Sequence, residues 1–235
     1  PSMDLGYSVL QAHNPALIYV TMPGYGASGP YKDWVAFGPT VEPMTGLTQV
    51  LGYSAAEPRN SAIALMDPIA GTTAATGLLE ALRKRQETGL GGCVELSLHE
   101  CGVSFNGPWL IDQQLGATAE PVGNEHPEMA PHGLYACLSR GKEDDADWIA
   151  IACQSDAAWR GLVQLIGTEL DADWDIVQRR TATRRIDAAI SAWTQALDKD
   201  AAAAQLQQAG VAAGPVASAP DMLSEAQAQA RGFFA

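Results

Sequence analysis

Apolar and polar positions in the first half of the chain predict strands separated by helices. Residues 17–22 form an apolar run of strand length, and residues 94–98 alternate as a half-buried strand. Helical spacing extends from residue 68 to about residue 87, and residues 40–52 and 99–115 fit further helices. Strand, helix and strand in this order predict an α/β layer with parallel strands.

The helix over 68–87 has the clearest pattern. Three leucines at helical spacing are predicted to point inward: Leu78, Leu79 and Leu82. Cations at residues 83–85 complement the helix dipole, and Gly89 follows the expected end. Residues 60–66 are predicted to form a short buried strand, which places Asp67 at a strand-to-helix junction. Asp67 suits the N-cap and Pro68 the first helical position.

A second module follows a composition shift at residues 116–129, whose prolines, glycines and acids indicate an exposed linker. Strands are predicted at 133–138 and 148–153, separated by a polar hairpin loop at 140–147. Ser155 is a plausible N-cap for the first of several helices. The predicted helices are 157–166, 183–196 and 201–209, with Gly210 closing the last and a short strand at 211–216 returning toward the first domain.

Composition limits the classes of partner. The 235 residues are 47% hydrophobic, enough for a sizeable core, and no apolar run of 18 residues predicts a membrane span. The net charge of −13 disfavours nucleic acid and anionic membrane surfaces. The N-terminus lacks a signal-peptide pattern, so we expect a cytoplasmic protein. Because the chain lacks an initiator Met and stops within an apolar stretch, we also expect a fragment.

Neither cysteine nor histidine spacing indicates a metal site. The cysteines stand singly, and buried free thiols are expected at Cys93, Cys101, Cys137 and Cys153. His126 and His132 are predicted to lie in a proline-rich loop, where a solvated role is favoured over metal ligation.

Four ordered sequence blocks resemble the class III CoA-transferase family, also called CaiB/BaiF or formyl-CoA transferase-like. They are residues 14–35 with Gly-Tyr-Gly-Ala-Ser-Gly-Pro at 24–30, Ala-Leu-Met-Asp-Pro at 64–68, residues 88–97, and residues 209–216. The match extends over the whole chain. Any one block alone would be a weak match, since Gly-Tyr-Gly-Ala-Ser-Gly-Pro also fits an ordinary turn-rich loop.

This resemblance implies an α/β fold with part of a Rossmann-like large domain, a smaller α+β domain, and two identical subunits interlocked as a homodimer. The implied division is a large domain over 1–115, a linker over 116–130, a small domain over 131–208, and a return to the large domain over 209–235. From the resemblance we expect the family's N-terminal CoA-binding segment to lie outside this sequence.

The resemblance also implies the chemistry. The family's catalytic nucleophile matches Asp67, which would pass through an aspartyl anhydride and an aspartyl-CoA thioester. Coenzyme A enters as a thioester co-substrate without a metal, and the partners are an acyl-CoA and a small carboxylic acid. Candidate CoA-contacting residues are Gly24, Tyr25, Gly26, Phe37, Gly123 and Asn124. The family's glycine-rich lid matches residues 123–132, which are proline-rich here and also fit an ordinary interdomain linker.

Two alternatives remain open. Some relatives are α-methylacyl-CoA racemases that use a His and an Asp as an acid–base pair, but Phe37 stands where we align that His, and a phenyl ring exchanges no proton. A racemase or isomerase is therefore less favoured than a transferase. A non-catalytic acyl-CoA-binding module is the other alternative, because the N-terminal CoA segment is missing.

Overall fold

The computed structural model describes residue 3 and residues 5–118, 120–139, 147–167 and 169–234. The chain divides into two compact units, Pro1–Gly123 and Asn124–Ala235. The boundary falls inside the segment at 116–130 that was expected to be a linker.

The first unit contains a parallel strand pair. Strand β1 (Ile18–Thr21) lies beside β2 (Gly92–Glu95), with Ile18 opposite Gly92. The long helix α4 (Met66–Thr88) lies between these strands in the chain. The predicted α/β arrangement with parallel strands is therefore confirmed.

Helix α4 packs through small residues rather than through its leucines. Its buried residues are Met66, Ala70 and Ala74. The structure contradicts the inward orientation of the predicted leucine face, because Leu79 is 68% exposed. A β-carbon on Gly77 would come within 2.7 Å of Val94 Cγ1, so the helix lies too close to β2 for larger side chains at this point. The helix ends as predicted, with Gly89 in the left-handed conformation at φ 74°.

The predicted helix over 99–115 is two helices, α5 (Leu98–Phe105) and α6 (Gly107–Gln114). The break falls at Asn106, whose side-chain amide donates to the Thr45 carbonyl at 2.9 Å. Gly102 lets α5 approach Met66, since a β-carbon there would lie 2.4 Å from the Met66 sulfur. The buried core of this unit is formed by Val41, Leu47, Met66, Ala70, Leu98 and Cys101.

Short elements complete the first unit. They are α1 (Tyr7–His13), α2 (Gly38–Val41), a 3₁₀ turn (Glu42–Thr45) and α3 (Leu47–Val50). The single helix predicted over 40–52 is thus divided among α2, the 3₁₀ turn and α3. Residues 60–66 form no strand, contrary to the prediction: residues 60–65 are an irregular segment, and Met66 already belongs to α4.

The second unit contains an antiparallel sheet in the order β3–β4–β5. Its strands are β3 (His132–Ala136), β4 (Trp148–Ala152) and β5 (Ala212–Pro215). Strand β5 was expected at the return to the large domain, but it pairs with β4, with Ile151 opposite Ala213. This strand therefore belongs to the sheet of the second unit.

The described part of the second unit contains six helices. They are α7 (Asp156–Ile166), α8 (Ile176–Thr181), α9 (Thr183–Thr194), α10 (Lys199–Gln208), α11 (Ala219–Ser224) and α12 (Ala226–Ala230). Ser155 caps α7 as predicted, its side chain accepting from the Ala158 N–H. Trp159 is fully buried among residues from β4, α9 and α10. The predicted hairpin loop lies outside the described residues except for Asp147.

Three of the four cysteines are buried free thiols, as predicted. Cys93 is the exception, because its side chain on β2 is exposed. Within the described residues, no helix is both long and apolar enough to cross a bilayer.

Candidate active site

Asp67 lies in the first turn of α4, two residues further into the helix than the sequence predicted. The helix begins at Met66 with Leu65 as the N-cap residue, so Asp67 caps nothing and Pro68 is the third helical residue. The N–H groups of a first turn have no intrahelical partner, so the missing N–H of Pro68 costs the helix no bond. Asp67 itself is exposed. Among the residues that the structure describes, no donor hydrogen-bonds its carboxylate.

The first residue of α2 borders this carboxylate. A β-carbon built on Gly38 would lie 2.0 Å from Asp67 Oδ2 and 2.9 Å from the β-carbon of Ala64. Only a residue without a side chain fits there while the carboxylate keeps its position. Sequence reasoning missed Gly38, although it directly follows Phe37, which was a candidate.

The glycine-rich loop after β1 is fixed to the end of β2 and to the start of α5. The N–H of His99 donates to the Gly24 carbonyl at 3.0 Å, and the N–H of Ala27 donates to Glu95 Oε1 at 3.0 Å. Gly26 adopts φ 90°, a conformation that favours glycine. This loop is held by backbone contacts, which leaves its aromatic side chains to form the cluster described next.

Tyr25 is the centre of that aromatic cluster. Its ring lies 6.0 Å from Tyr31, 5.8 Å from Trp34 and 5.9 Å from His99. Its hydroxyl lies 3.2 Å from the sulfur of Met44. These contacts join the loop to the 3₁₀ turn and α5; none of them reaches Asp67.

The remaining candidates have different environments. Phe37 precedes Gly38 and its ring is 68% exposed. Gly123 has φ 58° and donates its N–H to the Gly52 carbonyl at 2.8 Å. Asn124 belongs to the second unit, where its carbonyl lies 2.5 Å from His132 Nδ1. His132 starts β3 and is partly buried, so its predicted place in a solvated loop is wrong.

The arrangement at Asp67 suits nucleophilic chemistry. The Asp67 carboxylate is exposed and lies in the first turn of a 23-residue helix, close to the positive end of the helix dipole. A carboxylate of this kind can attack an electrophilic carbonyl. Among the described residues, no group of three His, Cys, Asp or Glu side chains is placed to hold a metal ion.

Comparison with known proteins shows the family to which this chain belongs. The profile of CoA-transferase family III matches residues 1–235. The chain therefore belongs to CoA-transferase family III.

Individual relatives support this membership. Succinyl-CoA–D-citramalate CoA-transferase of Chloroflexus aurantiacus is 32% identical over 226 residues, which cover 94% of this chain and 55% of that protein. Acetyl-CoA:oxalate CoA-transferase of Acetobacter aceti is 28% identical over 238 residues, 99% of this chain and 59% of that protein. The crystal structure of a CaiB/BaiF family protein from Brucella suis superposes with a TM-score of 0.84 at 27% identity, covering 98% of this chain and 61% of that one. The mixed α/β fold expected from the resemblance is confirmed, and the chain spans 55–61% of the length of these relatives.

Proposed function

We propose that the protein containing this chain transfers CoA from an acyl-CoA thioester to a small carboxylic acid, with Asp67 as the nucleophile. The observation that carries this proposal is the exposed Asp67 carboxylate in the first turn of α4, free of donors among the described residues. Family membership supports the reaction class. The named relatives act on succinyl-CoA with citramalate and on acetyl-CoA with oxalate, which supports a carboxylic acid as the acceptor.

The proposed reaction consists of acyl exchanges. The Asp67 carboxylate attacks the thioester carbonyl, expels the CoA thiolate and forms a mixed anhydride. The thiolate then attacks the aspartyl carbonyl, which releases the donor acid and leaves an aspartyl-CoA thioester. The acceptor carboxylate attacks this thioester, expels the thiolate again and forms a second anhydride. Attack of the thiolate on the acceptor carbonyl gives the new acyl-CoA and frees Asp67.

Trapping tests the intermediate. Incubation of the whole protein with an acyl-CoA and then hydroxylamine should add about 15 Da to the peptide that contains Asp67, as its hydroxamate. Asp67→Asn and Asp67→Ala should abolish both labelling and transfer. Asp112→Asn, which changes another exposed acid of the first unit, is the matched control and should label normally. Full transfer by Asp67→Ala would overturn the proposal.

The candidate CoA contacts and the assembly also belong to this proposal. We propose that Gly24, Tyr25, Gly26, Phe37, Gly123 and Asn124 contact CoA in the whole protein. We propose an interlocked cytoplasmic homodimer in which residues 116–130 link a large and a small domain. Light scattering of the whole protein tests the dimer, and a monomer with full transfer activity would contradict it.

A further inference from the structure

Glu42 is a fully buried carboxylate that the proposed reaction does not use. It lies on the 3₁₀ turn after α2, and both of its oxygens accept hydrogen bonds from one residue. The Ser61 N–H donates to Oε1 at 2.6 Å, and the Ser61 hydroxyl lies 2.6 Å from Oε2. Because one oxygen binds the backbone and the other binds the side chain, Glu42 restrains both the backbone and the side chain of Ser61.

The neighbouring residue of the same segment is also held. The Asn60 side chain donates to the Pro39 carbonyl at 3.2 Å and accepts from the Thr48 hydroxyl at 2.7 Å. Two successive residues, Asn60 and Ser61, are thus bound to the segment that contains α2, the 3₁₀ turn and α3. These contacts hold the chain six residues before Asp67.

Immediately after these anchors the backbone is strained. Ala62 has φ 61°, and it is the only non-glycine residue with a positive φ in the described part of the chain. Such a conformation is unfavourable for a residue with a β-carbon and persists where its surroundings enforce it. Two residues further on, the Ala64 carbonyl accepts the N–H of Asp67 at 3.1 Å. The strained turn therefore sets the direction in which the chain enters α4.

We infer that Glu42 is a positioning residue for Asp67, which acts by holding Ser61 and the strained turn at Ala62. The inference rests on the proposed role of Asp67. Loss of the two bonds to Glu42 lets Ala62 return to a negative φ, which moves the start of α4 and the carboxylate with it. A nucleophile displaced by about 1 Å loses on the order of 100-fold in rate. We expect the KM for acyl-CoA to stay unchanged, because Glu42 is fully buried.

Two substitutions at Glu42 in the whole protein test this role. Glu42→Met removes both acceptors at similar volume, and we expect kcat to fall about 100-fold with KM within about 2-fold. Glu42→Gln should retain kcat within about 3-fold, because its oxygen accepts the Ser61 N–H while its amide donates to the Ser61 hydroxyl. That hydroxyl can then donate to the Ile63 carbonyl, which already lies 2.8 Å away. The rate of hydroxamate formation at Asp67 should follow kcat.

A second substitution separates positioning from general stability. Ala62→Gly relieves the strain, so the turn no longer depends on Glu42, and Glu42→Met should reduce labelling much less in this background than in the wild type. If Glu42→Met alone does not fold, Ser61→Ala replaces it. Ser61→Ala keeps the hydrogen bond from the backbone N–H of residue 61 to Glu42. Alone it should lower the rate of labelling about 10-fold, and combined with Ala62→Gly it should lower that rate less.

The outcomes are distinguishable. A folded Glu42→Met variant, or a Ser61→Ala variant in its place, that labels at the wild-type rate overturns the inference and leaves the proposed function intact. The inference is also overturned if Glu42→Met lowers the rate of labelling equally in the wild-type and the Ala62→Gly backgrounds. A wild-type protein that forms no hydroxamate at Asp67 overturns the proposed function and the inference with it.

Discussion

Gly38 and Asp67 come together although 28 residues separate them in the chain, and the space for the Asp67 carboxylate exists because residue 38 has no side chain. A β-carbon at position 38 would lie 2.0 Å from Asp67 Oδ2. A van der Waals contact between carbon and oxygen requires well over 3 Å, so the two groups cannot both keep their positions.

We therefore expect Gly38→Ala to lower kcat of the whole protein by about 100-fold, because the added methyl group displaces the Asp67 carboxylate. The cost in stability should be about 1–3 kcal/mol. Steady-state transfer assays and urea unfolding measure the two effects. Gly71→Ala on α4 is the control: a β-carbon there meets nothing within 4 Å, and the helix should gain about 1 kcal/mol. Wild-type activity in Gly38→Ala would contradict the close contact.

Stereochemistry distinguishes transfer from racemisation. Because Phe37 offers no group that exchanges a proton, we expect a chiral 2-methylacyl-CoA to keep its configuration in D₂O while CoA passes to an added acid. Chiral chromatography and mass spectrometry follow configuration and deuterium content. Rapid inversion with deuterium uptake, without CoA transfer, would favour a racemase instead. Phe37→His is the comparison variant, because it places a second acid–base group at position 37.

Thiol reactivity should separate Cys93 from the other cysteines. In the native 235-residue chain, a thiol reagent at neutral pH should modify Cys93 rapidly, because its side chain is exposed. Burial raises the pKa of the Cys153 thiol to about 12, and it also raises the pKa of Cys137. Cys101 is protected by burial. Cys93→Ser should remove the fast phase, and a fast phase that survives this substitution would show that another cysteine is accessible.

An ion pair in the second unit should make its stability depend on pH. Lys199 Nζ lies 2.6 Å from Asp221 Oδ2 and donates to the Val216 carbonyl at 2.9 Å. The hydrogen bond from Lys199 lowers the pKa of Asp221, and the same bond raises the pKa of Lys199. The depressed Asp221 pKa stabilises the fold above its unfolded value of about 3.9, and the raised Lys199 pKa does so below about 10.4.

We therefore expect Asp221→Asn to lower the free energy of unfolding by a constant amount between about pH 5 and pH 9. The difference from the wild type should shrink as the pH falls below about 4, because protonation of Asp221 then removes the pair in the wild type as well. Urea unfolding at several pH values measures this. Asp200→Asn changes an exposed acid on α10, the helix that carries Lys199, and should show a smaller, flatter difference. If Asp221→Asn lowers the free energy of unfolding by the same amount at pH 3 and pH 7, the stabilisation does not come from the Lys199–Asp221 ion pair.

Periodicity predicted the elements of this fold better than the faces they bury. The C-terminal end of α4 at Gly89 follows from local rules, because helix propensity and capping depend on neighbours in the chain. Its start does not, since Leu65 rather than Asp67 is the N-cap residue. The choice of Leu78 and Leu79 as core residues failed because the packing distance to β2 and α5 decides which face is buried. Where that distance is short, only small residues fit between the elements, and the leucines stay on the exposed side of the helix. The small residues at these contacts are Ala70, Ala74 and Gly77.

The sequence supplied Asp67 as a candidate, but it did not supply the contacts that surround Asp67 in the structure. The resemblance to a family supplied Asp67, whereas Gly38 and Glu42 act through contacts with residues 19 or more positions away. No local pattern shows such a contact. The predicted strand over 60–66 failed for the same reason, since its conformation depends on Glu42 and Pro39 rather than on its own hydrophobic residues.

The close approaches at Gly38, Gly77 and Gly102 have a consequence for how this protein can diverge. At each position even alanine would overlap a neighbouring atom, whereas exposed leucines such as Leu79 contact little within the chain. In a library of random substitutions, the variants lost from the first unit should therefore concentrate at small residues, and many large apolar positions should accept replacement. In this unit the hydrophobicity of a position is thus a poor guide to its mutational tolerance. The space available for a β-carbon at that position is a better guide.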